Sequence, residues 1–319
     1  MEKLLNINRY LMYLLLALAV SIPFFLPSSC TIIPTLTKTS TQDLYINLMQ
    51  LPEGSTILIE SDWTVSTRGE SAGQFEAFLK IARFRNLKFV LLSGGDAQAP
   101  QVALNSIARL NSQFKAAGLP ELKPWDDYVA LGLFTDPASM WQSVTTNFRQ
   151  AFASKTAFDP AAGQQRSVYE SPVLKNIKTS KDLGMVVIVT ASASLDIMVQ
   201  RMSGKGTKIG QMVTGVMAPE SLIYYNSGQV AGQSGGLRGV VEMETMMSRG
   251  VNYSADGKEP FVKAPQFSGK IAPLPESLKP LDRGMSYFAS LHAALILMIA
   301  AVVLGNVGLL MQKKKGGAK

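Results

Sequence analysis

The chain has 319 residues, of which 47% are hydrophobic and 17% charged, against roughly 25% charged in an ordinary soluble domain. A single cysteine and a single histidine exclude an internal disulfide and a zinc site of Cys/His type. The net charge of +8 lies mostly at the two ends: residues 10–312 carry 25 basic and 22 acidic side chains, so the interior lacks the basic excess that a phosphate-tracking groove needs, and no nucleic-acid partner is expected.

Residues 1–9 form a short tail with Lys3 and Arg9 against Glu2. Residues 10–37 hold no charged side chain over 28 positions and open with LMYLLLALAV. Such a run exceeds the ~20 residues that cross hydrocarbon, and predicts a membrane helix over 10–29. Pro23 and Pro27 end or kink it. An Ala-x-Ala cleavage pattern is missing, and cleavage after Ser29 would put Pro27 at the −3 position, so a removed signal peptide is not expected. The PSSC ending in Cys30 is a weak match to a lipoprotein box, with Pro27 where an aliphatic residue belongs; lipidation of Cys30 stays open. Residues 30–43 are rich in Ser, Thr and Pro and read as a linker.

The block 44–253 alternates in character. Short aliphatic runs of strand length occur at 56–60 (TILIE), 88–92 (KFVLL), 128–134 (YVALGLF), 185–190 (MVVIVT) and 208–213 (KIGQMV). Between them, 72–85, 101–117, 139–152 and 195–202 place apolar residues at helical spacing. Strands apolar on both faces, alternating with helices, predict a mostly parallel sheet covered by helices. The expected fold is an α/β domain, Rossmann-like or flavodoxin-like, flanked by two transmembrane helices. No internal repeat is visible.

In such sheets ligands bind beyond the carboxyl ends of the strands. Those ends carry Asp62, Ser93-Gly94-Gly95-Asp96, Thr135-Asp136, Ser192 and Ser194. Asp62, Asp96 and Asp136 together could hold a hard cation such as Mg²⁺, and with Ser192 they could line a ligand site. The same residue types at strand-to-helix junctions are also what helix N-caps require.

Residues 226–239 (NSGQVAGQSGGLRG) contain a GxSxG match around Ser234. A Ser-His-Asp triad in the soluble block is impossible, because His292 lies in the second apolar run. Only a Ser–Lys arrangement with Lys205 or Lys208 would remain. Alternatively Gly228, Gly232, Gly235, Gly236 and Gly239 recur at helical spacing as a small-residue stripe, which permits close packing within the domain or with a partner; a plain loop using left-handed glycines is the third reading. Met198, Met202, Met212, Met217, Met243, Met246 and Met247 concentrate in the second half; they are expected to fill core gaps, or to offer an adaptable surface. Trp63, Trp125 and Trp141 are too dispersed to form a stacking platform, and Arg238 has no partner evident from spacing.

Residues 254–284 include five prolines, Pro260, Pro265, Pro273, Pro275 and Pro280, and read as an extended return to the membrane. Residues 284–312 are uncharged over 29 positions and predict a second membrane helix over 285–311. A basic tail, 312–319, follows with Lys313, Lys314, Lys315 and Lys319. Positive charge beside both spans places both termini in the cytoplasm and the central domain outside the plasma (inner) membrane. The expected role is a structural or interaction subunit, docking onto other membrane-complex proteins or onto itself. The alternatives are a small-ligand or sensor module at the sheet rim, and a tethered hydrolase.

Overall fold

A computed structural model describes residues 9–26, 37–253, 269–278 and 283–316. Lys3, Pro27, Cys30, Lys319 and residues 254–268 lie outside the described residues, and with them the lipidation question and part of both expected linkers. The chain divides into two units, Leu36–Leu281 and a second made of Met1–Thr35 with Asp282–Lys319.

The terminal unit opens with α1 (Arg9–Ser21) and a 3-10 turn, Ile22–Phe24. A helix of 13 residues rises about 20 Å, short of the ~30 Å hydrocarbon core.

The larger unit begins with α2 (Thr39–Met49), which takes in the last residues of the expected linker. Leu44, Tyr45 and Leu48 of α2 are fully buried. Then follow β1 (Thr56–Asp62), α3 (Arg68–Phe84), β2 (Lys88–Ser93), α4 (Ala99–Ala116) and β3 (Tyr128–Leu133). Next come α5 (Pro137–Thr146), the one-turn α6 (Phe148–Ala151) and a hairpin of β4 (Thr156–Asp159) and β5 (Gln164–Ser167). The second half continues with β6 (Met185–Thr190), α7 (Ser194–Met202), β7 (Ile209–Val213), α8 (Ala218–Asn226), β8 (Gly232–Gly235), α9 (Gly236–Arg249) and β9 (Val251–Tyr253).

Six strands form one sheet in the order β3-β2-β1-β6-β7-β8, and every pairing is parallel. This is the Rossmann-like order, so the flavodoxin-like alternative drops out. The chain winds outward from β1 to β3, returns to the centre at β6, and winds outward again to β8. Crossovers between parallel strands are right-handed, so the two windings put their helices on opposite faces. Ile57, Ile59, Phe89 and Val187 pack against α2, α3, α4 and α9 on one face. Leu58, Val90, Val129 and Ile188 pack against α5 and α7 on the other. Burial on both faces is why these strands read as continuous aliphatic runs.

Met198, Met202, Met212, Met243, Met246 and Met247 are all buried, and Met217 packs on the second cluster. The methionines therefore fill the core. Part of the return segment also joins the domain: β10 (Gly269–Ile271) pairs antiparallel with β9, and Leu274 and Leu278 are buried in the first cluster.

The last helix, α10 (Arg283–Gly316), belongs to the terminal unit. Its segment Tyr287–Leu310, 24 residues of mean hydropathy 2.5, is long and apolar enough to cross a membrane. Among the described residues it is the one helix that is; Arg9–Phe24 is apolar but shorter. Inside this unit the Phe24 ring lies edge-on to Tyr287, with ring centroids 5.3 Å apart. The end of the first apolar helix thus meets the start of the second, an antiparallel arrangement. His292 lies within the span, and its ring Nδ1 pairs with the Phe288 carbonyl at 2.8 Å.

Candidate functional site at the carboxyl rim of the sheet

The winding reverses between β1 and β6, and at such a point the two outgoing chains diverge and leave a crevice beyond the strand ends. β1 ends there in Asp62, and β6 in Thr190. Asp62 is 5% exposed. Its Oδ1 accepts from Gly95 N at 2.7 Å, Asp96 N at 3.2 Å and Ser93 Oγ at 3.1 Å. Its Oδ2 receives one long hydrogen bond, from Ser192 Oγ at 3.5 Å.

From the neighbouring strand, three hydroxyls converge on the same place. Thr190 Oγ1 lies 2.9 Å from Ser194 Oγ and 3.2 Å from Ser192 Oγ, and accepts from Ser192 N at 3.0 Å. Thr190 also donates to the Asp62 carbonyl at 3.3 Å. Asp62 Oδ1 is therefore committed to holding the β2–α4 loop. Oδ2 and the Ser192 and Ser194 hydroxyls form the less committed edge.

Two residues before Asp62, on the same face of β1, lies Glu60. The sequence reading passed over it as the end of an aliphatic run. A period of two was the available signal, since it sets Glu60 and Asp62 on one face. Glu60 is fully buried. Its Oε2 accepts from Trp141 Nε1 of α5 at 3.1 Å, while Oε1 is buried with no partner. Burial, and then the nearby Asp62 carboxylate, push the Glu60 carboxyl up to about 8, against the lowering effect of the Trp141 hydrogen bond. Glu60 is thus largely a neutral acid at pH 7.

The glycines of the β2–α4 loop follow from this pair. A Cβ on Gly94 would come within 2.5 Å of Glu60 Oε1, and one on Gly95 within 2.1 Å of Asp62 Oδ2. Only glycine lets the loop backbone close over two carboxyls and aim its N–H groups at one of them.

The other acidic candidates bind backbone N–H groups close to them in sequence. Asp96 Oδ1 accepts from Gln98 N at 2.7 Å just before α4. Asp136 caps α5, accepting from Ser139 N at 3.0 Å, and hydrogen bonds from Ser139 hold its carboxyl below the usual range. Among the described residues no three His, Cys, Asp or Glu are grouped to hold a metal ion. Asp62, Asp96 and Asp136 are thus not brought together as one ligand group: Asp96 and Asp136 each accept from a backbone N–H two or three residues on.

The Gly-rich stretch is not one helix. Gly228 sits at φ +77° in the turn after α8, Gly232 and Gly235 are in β8, and Gly236 and Gly239 begin α9. Each of the last four faces atoms of this same chain. A Cβ on Gly232 would meet Leu44 N at 2.3 Å, on Gly235 Ala218 Cβ at 2.6 Å, on Gly236 Gly215 Cα at 2.9 Å, and on Gly239 Ser234 Oγ at 2.3 Å. The close approach anticipated for these glycines is internal. Ser234 is fully buried against α9, and its hydroxyl has no hydrogen-bond partner. It does not project from an exposed elbow. Lys208 is exposed and donates to Asn47 Oδ1 at 2.7 Å. Arg238 finds the partner that spacing did not reveal: it pairs with buried Glu242 at 2.8 Å, whose other oxygen accepts from Thr41 of α2.

In comparisons with known proteins, no family model, no curated protein and no solved structure matches this chain.

Proposed function

We propose that this protein is a membrane-anchored binding module whose extracytoplasmic α/β domain takes a small, hydroxyl-bearing ligand at the carboxyl rim. The observation that carries this is the convergence of Asp62, Ser192 and Ser194 where the sheet reverses its winding. A carboxylate oxygen with one long hydrogen bond accepts well from a ligand hydroxyl, and serine hydroxyls donate or accept as the ligand requires.

The anchor is a two-span hairpin with both termini in the cytoplasm. Support comes from the apolar length of Tyr287–Leu310 and from the antiparallel Phe24–Tyr287 contact. The first helix is shorter than the hydrocarbon core, a mismatch that local thinning of the bilayer accommodates at modest cost per ångström.

The test is a thermal-unfolding screen of the detergent-solubilised full chain with ribose, adenosine, glucose, glycerol and myo-inositol. At least one should raise Tm, and Asp62→Asn combined with Ser192→Ala should abolish the rise. No shift from any of the five, or a shift that survives the double substitution, removes the rim as a ligand site.

A docking role in an assembly is the second reading. It rests on Val65 and Val216, which are 62% and 88% exposed on the loops that follow β1 and β7 at the same rim. Native mass measurement after gentle extraction checks it: a clean monomer counts against it.

A further inference from the structure

A cleft of about 510 Å³ opens at the opposite, amino-terminal end of the sheet, where β7 and β8 begin. Asp43 and Asn47 of α2, Tyr225 of α8 and Gln229 line it, with Gly204, Gly206, Thr207 and Lys208 of the turn before β7. The volume falls in the range of small-molecule sites.

The turn joining α7 to β7 reads Gly204-Lys205-Gly206-Thr207-Lys208. Gly204 and Gly206 take φ of +73° and +91°, a conformation that only glycine adopts without strain. The N–H groups of Gly206 and Thr207 have no acceptor among the described residues. Three lysines surround this turn. Lys205 lies between the two glycines, Lys208 lines the cleft, and the stem of Lys181 runs past Gly206, its Cε 3.5 Å from where a Cβ would stand. All three are exposed, and among the described residues none pairs with a carboxylate.

The acids nearby are already engaged. Asp43 Oδ2 accepts from Tyr225 OH at 2.7 Å. Asp182 beside Lys181 accepts from Lys178 N and Thr179 N, which hold its carboxyl low. Unused backbone N–H groups in a glycine turn, together with ammonium groups that have no carboxylate partner, are the chemistry that holds a phosphate. Asn47, Gln229 and Tyr225 supply neutral hydrogen-bonding groups for the remainder of a larger ligand.

We propose that this cleft binds a phosphate ester, with the phosphate on the Gly204–Lys208 turn. It is a site separate from the carboxyl rim and does not depend on it. The ester is carried either by a soluble metabolite-sized molecule or by a lipid headgroup, and the experiment separates them.

The full chain in dodecyl maltoside micelles, which carry no phosphate, is titrated with glycerol 3-phosphate at constant ionic strength, and separately with phosphatidylglycerol doped into the same micelles. Saturable binding in the first arm assigns a soluble ester; a Tm increase confined to the second assigns a headgroup. In either case Lys205→Gln with Lys208→Gln should weaken the effect at least about tenfold, the scale of a lost charge-assisted hydrogen bond. Lys123→Gln, an exposed lysine absent from the cleft, should leave it unchanged. Both lysines of the double variant are exposed, and its Tm without ligand reports whether it folds. No response in either arm, or an undiminished response from the folded double variant, overturns the proposal.

Discussion

Glu60 carries a proton because water cannot reach it, and that proton couples the stability of the domain to pH. Its folded value of about 8 lies above the ordinary 4.5 of the unfolded chain. Below that ordinary value both states are protonated and the group adds no pH dependence. As pH rises toward 8 the unfolded state sheds the proton and the folded state holds it, so stability falls, by about 1.4 kcal/mol for each pH unit at most. Glu60→Gln keeps the acceptor for Trp141 Nε1 and removes the titration. The variant should show a flatter Tm profile between pH 5 and 8 and should exceed the parent protein in Tm at pH 8. Melting curves across that range check it, and parallel profiles would mean Glu60 is not the titrating group. Ser234 lies at the other extreme among the residues singled out from sequence. Its GxSxG setting was visible, but the hydroxyl is packed against Gly239, and a motif of five residues carries no information on which side of the strand is covered.

At the scale of elements, the edge strand β8 is the informative case. Its sequence, GQSG, has none of the β-branched residues that mark β1 or β6, and no strand was expected there. The reason lies in what covers it. α2 runs so close to β8 that a Cβ on Gly232 would stand 2.3 Å from Leu44 N and 2.4 Å from Leu44 Cα. The clash is with backbone, so a side chain cannot swing aside; either α2 moves or the strand does. Gly232→Ala should therefore destabilise by about 3 kcal/mol, at the upper end of overpacking costs. Gly69, whose Cβ would meet nothing within 4 Å, provides the matched control: Gly69→Ala near the start of α3 should be neutral or slightly stabilising. Urea melts of the two variants decide it, and equal midpoints would show that α2 is not held tightly on β8. The five aliphatic strands and four amphipathic helices were legible because their periodicities are set by burial on a sheet. α2 and β8 were not, because each is specified by the other across nearly 190 positions of chain. The rim followed the same division. Asp62 and Ser192 were readable as strand ends, whereas their meeting required the strand order, and Glu60 was hidden by its place in an apolar run.

For the whole molecule the deciding quantity is which face of the bilayer the α/β domain occupies. In the proposed hairpin, the basic residues beside the two apolar runs would put the domain outside, and two crossings would return the chain to the side it started from. One of those helices has the length to cross unaided, and the other is 16 residues counting its terminal turn, Arg9–Phe24. The topology is therefore open to direct measurement. Phe158 on the β4–β5 hairpin is 53% exposed, and the chain has a single cysteine. In a Cys30→Ser background, Phe158→Cys should react with a membrane-impermeant maleimide in spheroplasts of intact cells. Lys315→Cys, in the basic tail, should react only after permeabilisation. Labelling in the reverse order would put the domain in the cytoplasm. If both positions react at once on the outside, α10 does not cross, and the hairpin reading fails. The proposed ligand rim and phosphate cleft lie on one domain, so the pool of small molecules they face would be chosen by that single fact of orientation.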